Sequence, residues 1–146
     1  QGALDQYVRA TEADPAWGEP VANIARLYLR ANRSEPAEAA AEDALRLAPG
    51  KPDYLVLRAE IRNHTRAHAA ARDDAEAALA VDPAFHDAFV ELARALAGLR
   101  EWDAADSVLA AGLERHPGSE DLGQARDDLE ARRRKSDPAG RQDPGR

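Results

Sequence analysis

Four prolines stand at a fixed interval along this chain, and the interval constrains the fold more than any other feature of the sequence. The prolines are Pro15, Pro49, Pro83 and Pro117, so the same distance separates each from the next. An alanine stands at a constant distance before each of them, at Ala3, Ala37, Ala71 and Ala105. Self-similarity at a period of this length indicates a protein built from stacked copies of one supersecondary unit.

Each unit between two prolines contains two stretches of helical length. In the unit that starts at His86, apolar residues recur at spacings of three and four, first from Phe89 to Leu96 and then from Ala105 to Leu113. Proline has no amide hydrogen to donate, so it ends the second helix and directs the chain into the next unit. A single helix pair would leave its apolar face exposed, which predicts that the units stack.

A helix–turn–helix unit of about 34 residues resembles the tetratricopeptide repeat, and the resemblance spans nearly the whole chain. The family pattern of large and small apolar residues is met in units 18–51, 52–85 and 86–119. The matching residues are Val21, Ala25, Tyr28, Ala37, Ala41, Ala44 and Pro49; then Leu55, Ala59, Ala71, Ala75, Ala78 and Pro83; then Phe89, Ala93, Leu96, Ala105, Leu109, Gly112 and Pro117. Arg62 departs from the pattern, and we expect Ile61 to take its packing role. The resemblance implies an all-α solenoid of helical hairpins that coils as a right-handed superhelix.

The repeat register also predicts what the two ends of the chain do. Residues 1–17 have the pattern of a second helix whose first helix is absent, with Leu4, Tyr7 and Val8 on its apolar face. Residues 120–135 predict a polar capping helix, and residues 136–146 have the composition of a disordered tail. We therefore expect one solenoid over residues 1–135. Because the chain has no methionine and begins with glutamine, we expect a processed chain or a piece of a longer one.

Charge and composition narrow the classes of function. A net charge of −7 disfavours a nucleic-acid partner, because it repels a phosphate backbone. The chain has no cysteine, and no stretch approaches the roughly 18 apolar residues of a membrane span. No signal peptide is visible, so the compartment stays open with the cytoplasm as the default. Heavy use of alanine, arginine, aspartate and proline is typical of a GC-rich bacterial gene.

No pattern of residues indicates catalysis or a cofactor. His64 and His68 have the spacing of two metal ligands on one helix, but they straddle a predicted turn. His68 also shares its repeat position with Trp102, which indicates packing. The sequence shows no Ser–His–Asp arrangement, no glycine-rich phosphate loop and no H-E-x-x-H motif. We expect no metal, no cofactor and no enzymatic activity.

We interpret two charged stretches as solvent-exposed surfaces of helices. The acidic residues Asp73, Asp74 and Glu76 could do acid–base chemistry only if one of them were desolvated, and a solenoid offers no enclosing pocket there. The basic run at residues 132–135 lacks the interleaved aromatics of a nucleic-acid site. Basic residues at that point are typical of a helix C-terminus.

The family resemblance implies a binding surface as well. In the family, the first helices of successive units line a concave surface that takes an extended peptide or a partner helix. The residues of this chain at those positions are Glu19, Ala22, Arg26, Arg30, Asp53, Val56, Leu57, Glu60, Asn63, Asp87, Val90, Glu91 and Arg94. We expect an apolar middle with charges of both signs around it, which suits a partly apolar peptide or helix.

One binding mode of the family can be tested on the residues themselves. Members that bind chaperones grip a C-terminal carboxylate through Lys, Asn, Asn, Lys and Arg at five groove positions. At those positions this chain has Ala22, Arg26, Leu57, Asp87 and Glu91. Two of these five residues are acidic and would repel a carboxylate. The sequence therefore predicts that the groove does not hold a chaperone tail in this way.

Three interpretations of function remain at this point. The favoured one is a protein–protein interaction module, an adaptor or scaffold that binds a peptide or helix of a partner protein in the groove. The alternative is a regulatory or substrate-presenting segment of a larger enzyme or assembly factor whose catalytic part lies outside this chain. The third is self-association through the N-terminal helix. The complete reading frame would separate the first two.

The middle unit breaks the apolar pattern at two positions together. Where the other units have Ile24 and Leu92 the middle unit has Arg58, and a second core-like position holds Asp74. The two residues lie on the two helices of one predicted hairpin and have opposite charges. We therefore predict a partly buried ion pair between Arg58 and Asp74 that serves the structure and does not bind a ligand.

Overall fold

The computed structural model describes residues 15–137, which form seven α-helices and one short 3-10 turn. The turn is Pro15–Trp17, and the helices are α1 (Gly18–Arg30), α2 (Ser34–Leu47), α3 (Pro52–His64), α4 (His68–Val81), α5 (His86–Gly98), α6 (Trp102–Arg115) and α7 (Glu120–Ser136). These residues contain no strand, and the expected all-α class is confirmed. The expected N-terminal helix with Leu4, Tyr7 and Val8 lies outside the described residues, as does the tail from residue 138 onward.

The helices pack as antiparallel neighbours in chain order. Helices α1 and α2, α3 and α4, and α5 and α6 form hairpins, and each second helix also contacts the first helix that follows it. In addition, α1 contacts α3, α3 contacts α5, and α5 contacts α7. The first helices α1, α3 and α5 therefore form one continuous layer that α7 extends. Across residues 15–137, no helix combines the length and the apolar character that a bilayer span requires.

The prolines lie where the repeat pattern places them. Helices α2, α4 and α6 end at Leu47, Val81 and Arg115. Each of these helix ends is followed within two residues by a proline of the repeat, as predicted: Pro49, Pro83 and Pro117. The helix that follows residue 117 extends slightly further than expected, through Ser136. Ser119 caps its first turn, because the Ser119 side chain accepts a hydrogen bond from the amide of Leu122.

The turn inside each hairpin has the same geometry. Asn32, Arg66 and Arg100, which follow one another at the repeat interval, have φ angles of 57°, 63° and 63°. In each turn, the backbone amides of the positive-φ residue and of the residue after it donate to carbonyls in the last turn of the preceding helix. In the first hairpin, for example, the amide of Arg33 donates to the carbonyl of Tyr28 at 2.9 Å. This is a Schellman motif, which glycine or asparagine normally completes. In two of the three turns, an arginine adopts this left-handed backbone conformation, which is unfavourable for a residue that has a Cβ atom.

Small side chains face the interior of the second helices. Ala37, Ala41 and Ala44 of α2 are fully buried, as are Ala71, Ala75 and Ala78 of α4. Gly112 occupies the matching position of α6, where a Cβ atom would come within 3.0 Å of the Phe89 ring. Alanine and glycine let the helix backbones approach each other closely, so the distance between the second helices and the first helices depends on these positions.

The predicted ion pair between Arg58 and Asp74 is confirmed. Arg58 donates through Nε to Asp74 Oδ2 at 2.9 Å and through Nη2 to Oδ1 at 2.7 Å. The Asp74 side chain is only 6% exposed, and both carboxylate oxygens are occupied. The neighbouring carboxylates Asp73 and Glu76 are exposed. The expectation of a solvated acidic face is therefore wrong for Asp74, whose carboxylate is a buried hydrogen-bond acceptor.

Arg62 extends this ion pair to the preceding unit. Its Nη1 donates to Asp74 Oδ2 at 2.8 Å, and its Nε donates to Glu38 Oε1 at 2.9 Å. Ile61 is fully buried and takes the packing role, as expected. The departure of Arg62 from the family pattern thus has a structural reason: its side chain connects α2, α3 and α4 through charged hydrogen bonds.

The geometry predicts unequal effects for removing the two partners. Asp74→Ala leaves two arginines without their shared acceptor and should lower the free energy of unfolding by about 3–5 kcal/mol. Arg58→Ala should cost less, because Arg62 still donates to Asp74. The double variant Arg58→Leu, Asp74→Ala should recover much of the loss. Urea unfolding measures all three, with Asp73→Ala as the exposed control expected to change stability by less than about 0.5 kcal/mol. An Arg58→Ala loss equal to that of Asp74→Ala would contradict this interpretation.

The left-handed arginines give a second stability prediction. Arg66→Gly and Arg100→Gly should each raise the free energy of unfolding by about 0.5–1 kcal/mol, because glycine adopts a positive φ without the Cβ penalty. Both residues are exposed, so no packing is lost. Glu76→Gly, an exposed position within α4, is the control and should lower stability by about 1 kcal/mol. A loss of stability in both arginine variants would show that their turns do not carry the strain.

Candidate partner-binding groove

The inward faces of the first helices and of α7 line a groove of about 1090 Å³. Because each of these helices contacts the next one in the layer, their lining residues form one continuous surface. The apolar part of the lining includes Val56 of α3, Val90 and Ala97 of α5, and Leu129 of α7. Charged side chains of both signs stand around this floor. The groove is therefore a long, open surface of mixed chemistry.

Eight of the thirteen residues expected at the binding surface line this groove. They are Arg30, Val56, Glu60, Asn63, Asp87, Val90, Glu91 and Arg94. Their part in binding stays a prediction, but the structure brings them together around one space. The repeat register therefore identified the face of α3 and α5 that lines this groove.

Five of the expected residues do not line the groove. Ala22 and Leu57 are core residues, 0% and 3% exposed, so they present almost no surface to a partner. Both pack in one hydrophobic cluster with residues of α1 and α2. Glu19 and Arg26 form an ion pair with each other at 3.2 Å. Asp53 is exposed but lies outside the lining.

Helix α7 contributes more to the groove than the sequence indicated. It was expected to act as a polar cap, yet it supplies a whole wall, with lining residues Asp121, Gln124, Ala125, Asp128, Leu129, Ala131, Arg132 and Lys135. A signal was available in the sequence. Asp121 follows Asp87 at the interval that separates the prolines, so the register of the first helices continues into α7.

A buried carboxylate lies in the floor of the groove. Glu91 is 5% exposed, and Asn63 Nδ2 donates to its Oε2 at 2.9 Å and to its backbone carbonyl at 3.0 Å. Arg94 Nη1 donates to Oε1 at 2.8 Å. Burial raises the pKa of Glu91, Arg94 and Asn63 act to lower it, and Glu60 adds to the increase. Asn63 thereby joins α3 to α5 through a hydrogen bond to a desolvated acid.

His68 connects this network to the packing of the next unit. Its Nδ1 donates to Asn63 Oδ1 at 3.1 Å, and its ring occupies the space that any side chain at Gly98 would need. Burial, together with the cations Arg132 and Arg66, lowers the pKa of His68, so the ring is neutral at pH 7. The expected packing role of His68 is confirmed. His68 begins α4 and His64 ends α3, so they do not share a helix.

Potential metal ligands do not converge in the described part of the chain. Within residues 15–137, no group of three or more His, Cys, Asp or Glu side chains is arranged to hold a metal ion. His64 Nε2 instead lies 2.7 Å from Asn32 Oδ1, in a contact between the turns of two successive units. The spacing of the two histidines therefore reflects the repeat geometry.

Sequence inspection missed a Ser–His–Asp arrangement, of which Ser119 and His86 line a second, smaller concavity. His86 Nε2 lies 2.6 Å from Ser119 Oγ, and His86 Nδ1 lies 2.8 Å from Asp87 Oδ1. The Asp87 side chain is 69% exposed, so solvent screens its charge. Ser119 already caps α7 through the amide of Leu122. This chain of contacts connects the starts of α5 and α7 and thus serves their alignment.

The raised pKa of Glu91 predicts a pH-dependent effect on stability. Glu91 holds its proton to higher pH in the folded chain than in the unfolded chain, so its contribution to stability falls as pH rises from about 4.3 through the raised pKa. Glu91→Gln removes the buried charge and keeps an acceptor for Asn63. Its stability relative to wild type should therefore increase from about pH 4 to about pH 7.

Chemical denaturation at a series of pH values measures this difference. Glu76→Gln removes an exposed carboxylate and should show a smaller slope. A Glu91→Gln variant that loses stability relative to wild type as pH rises would show that Arg94 and Asn63 outweigh the desolvation of Glu91.

Comparison with known proteins agrees with the architecture. No protein-family model matches this chain, and no curated protein matches it. Solved tetratricopeptide-repeat (TPR) domains do match its structure. The Sgt2 TPR domain from Aspergillus fumigatus has a TM-score of 0.76 at 23% identity, covering 88% of this chain and 85% of that chain.

Two further solved structures contain a bound peptide or chaperone segment. The first TPR of Spaghetti (RPAP3), bound to the HSP90 peptide SRMEEVD, has a TM-score of 0.75 at 16% identity, covering 82% of this chain and 97% of that chain. The TPR2B domain of yeast Sti1, in a complex with pHsp70, has a TM-score of 0.73 at 20% identity, with coverages of 82% and 98%. The helix order, the hairpin turns and these likenesses together show that this chain has the TPR fold.

Proposed function

We propose that this chain is a protein–protein interaction module that holds a peptide or helical segment of a partner protein in the groove and performs no catalysis itself. The observation that carries the proposal is the groove itself, a continuous surface built from the first helices and α7. At about 1090 Å³ it exceeds the range of roughly 300–1,000 Å³ typical of small-molecule sites. Its apolar floor and charged rim suit a peptide surface.

Contacts within the chain join the helices that form the groove. The hydrogen bonds from Asn63 to Glu91 fix α3 against α5, and His68 packs over Gly98 at the end of α5. A preformed surface lowers the entropy lost on binding, because little of it must be ordered. The solved TPR domains in complex with chaperone peptides show that this fold supports peptide binding in those proteins.

The chemistry of the groove differs from that needed for an acidic chaperone tail. Asp87 and Glu91 stand at two of the three positions where the family clamp has cations. Ala22 stands at the third, and both Ala22 and Leu57, which stands at an asparagine position of the clamp, are buried. A peptide such as SRMEEVD would therefore meet carboxylates. We propose that the partner of this chain is of another kind.

A selection of random peptides against the immobilised chain tests the proposed function. Recovered peptides should lose at least about tenfold in affinity, or about 1.4 kcal/mol, on Ala131→Trp, which fills the groove from an exposed position of α7. Ala111→Trp, the same change on an exposed position of α6 outside the groove, is the matched control and should leave the affinity unchanged. The peptide SRMEEVD should show no saturable binding.

Two results would count against the proposal. The absence of any recovered peptide, or equal binding by both tryptophan variants, would remove the groove as the site. Saturable binding of SRMEEVD that Ala131→Trp abolishes would keep the groove and overturn the argument from Asp87 and Glu91.

A further inference from the structure

The two long edges of the groove have opposite charges. Asp87 and Asp121, each the second residue of its helix, stand at one edge, and Arg132 and Lys135 of α7 stand at the other with Arg30 of α1. Asp121 and Arg132 are about three turns apart on one helix, which places the edges about 16 Å from each other. Between them lie the apolar residues Val56 and Val90 together with the charged residues Glu60, Glu91, Arg94 and Asp128.

The basic edge is not neutralised within the described part of the chain. Arg133 and Arg134 on α7 form ion pairs with Asp103 and Glu130. Across residues 15–137, no ion pair or hydrogen bond engages the side chains of Arg132, Lys135, Arg30 or Asp121. On α7, Arg133 and Arg134 face away from the groove and form ion pairs. Arg132 and Lys135 line the groove and form no ion pair with any residue in 15–137.

Helix dipoles account for only part of this arrangement. They favour acids at the start and bases at the end of a helix, whichever way the side chain points. The paired residues Arg133 and Arg134 already complement the C-terminus of α7. The dipole therefore does not explain why the unpaired cations are those that line the groove.

We propose that the occupant of the groove is an amphipathic α-helix of a partner protein, with an apolar stripe, a basic flank and an acidic flank. This rests on the proposed function and specifies the partner. The basic flank would face Asp87 and Asp121, and the acidic flank would face Arg132, Lys135 and Arg30. The apolar stripe would lie on the floor.

The shape of the groove favours a helix over an extended segment. A helix has a diameter of about 10–12 Å and presents side chains in three directions at once, toward the floor and toward both edges. Side chains of an extended strand alternate between two opposite directions. A strand could contact either the two edges or the floor, whereas the groove presents distinct chemistry at all three.

Synthetic helical peptides of about 18 residues test the charge pattern, since about five turns cross the groove. All share one apolar stripe. One has lysine on one flank and glutamate on the other, a second has lysine on both flanks, a third has glutamate on both, and a fourth repeats the first with a central proline. Fluorescence anisotropy should show the first peptide binding at least about tenfold more tightly than each of the others.

Charge reversal on the protein tests which edge of the groove binds which flank of the peptide. Asp87→Lys with Asp121→Lys should make the peptide with two glutamate flanks the preferred one, and Arg132→Glu with Lys135→Glu should favour the peptide with two lysine flanks. Glu76→Lys, on the exposed face of α4, is the control and should leave the ranking unchanged. Circular dichroism establishes that each variant is folded.

The outcomes separate this inference from the proposed function. Equal or tighter binding of the proline peptide, or of a peptide with like-charged flanks to the wild-type chain, would overturn the helical, bipolar partner. Failure of all four designed peptides would overturn it too. Groove-dependent binders recovered from the random selection would still support the proposed function in each of these cases.

Discussion

Each second helix of this solenoid lies between two first helices, and it approaches both because the residues that it turns toward them are mostly alanines. Ala37, Ala71 and Ala105, which repeat at the interval of the prolines, are all fully buried. Larger side chains there would push the hairpins apart, because close-packed protein interiors leave little room for added volume. The distance between successive first helices depends on this packing, and the width and continuity of the groove follow from that distance.

Polar contacts add to this packing in the middle unit. The carboxylate of Asp74 accepts hydrogen bonds from two arginines, and Arg62 extends the network to Glu38 of the preceding unit. On the groove side, Asn63 of the same unit connects to Glu91 of the next. The middle hairpin is thus joined to both neighbours through directional bonds, which specify the register of the stack more narrowly than apolar contact does. We interpret the loss of apolar pattern there as the origin of that specificity.

Sequence periodicity predicted the parts of this structure that repeat. The helix ends beside the prolines, the pairing of Arg58 with Asp74 and the inward face of α3 and α5 all follow from the repeat register. The burial of a residue does not follow from the repeat register. The register predicts which way a side chain points, whereas the neighbouring helices determine how much of it is exposed. Leu57 was expected to contact a partner, but it is a buried core residue. Contacts that join distant turns, such as His86 with Ser119, depend on side-chain rotamers that no one-dimensional pattern contains.

We propose that the groove face binds the partner, and mapping amide NMR shifts tests this most directly. On addition of a peptide recovered by selection, the largest shifts should fall on groove residues of α3, α5 and α7, among them Asn63, Val90, Gln124 and Ala131. Exposed residues of α4 and α6, such as Glu76 and Ala111, should shift little. Shifts concentrated on α4 and α6, with the groove residues unchanged, would contradict the account and place the binding surface on the opposite face.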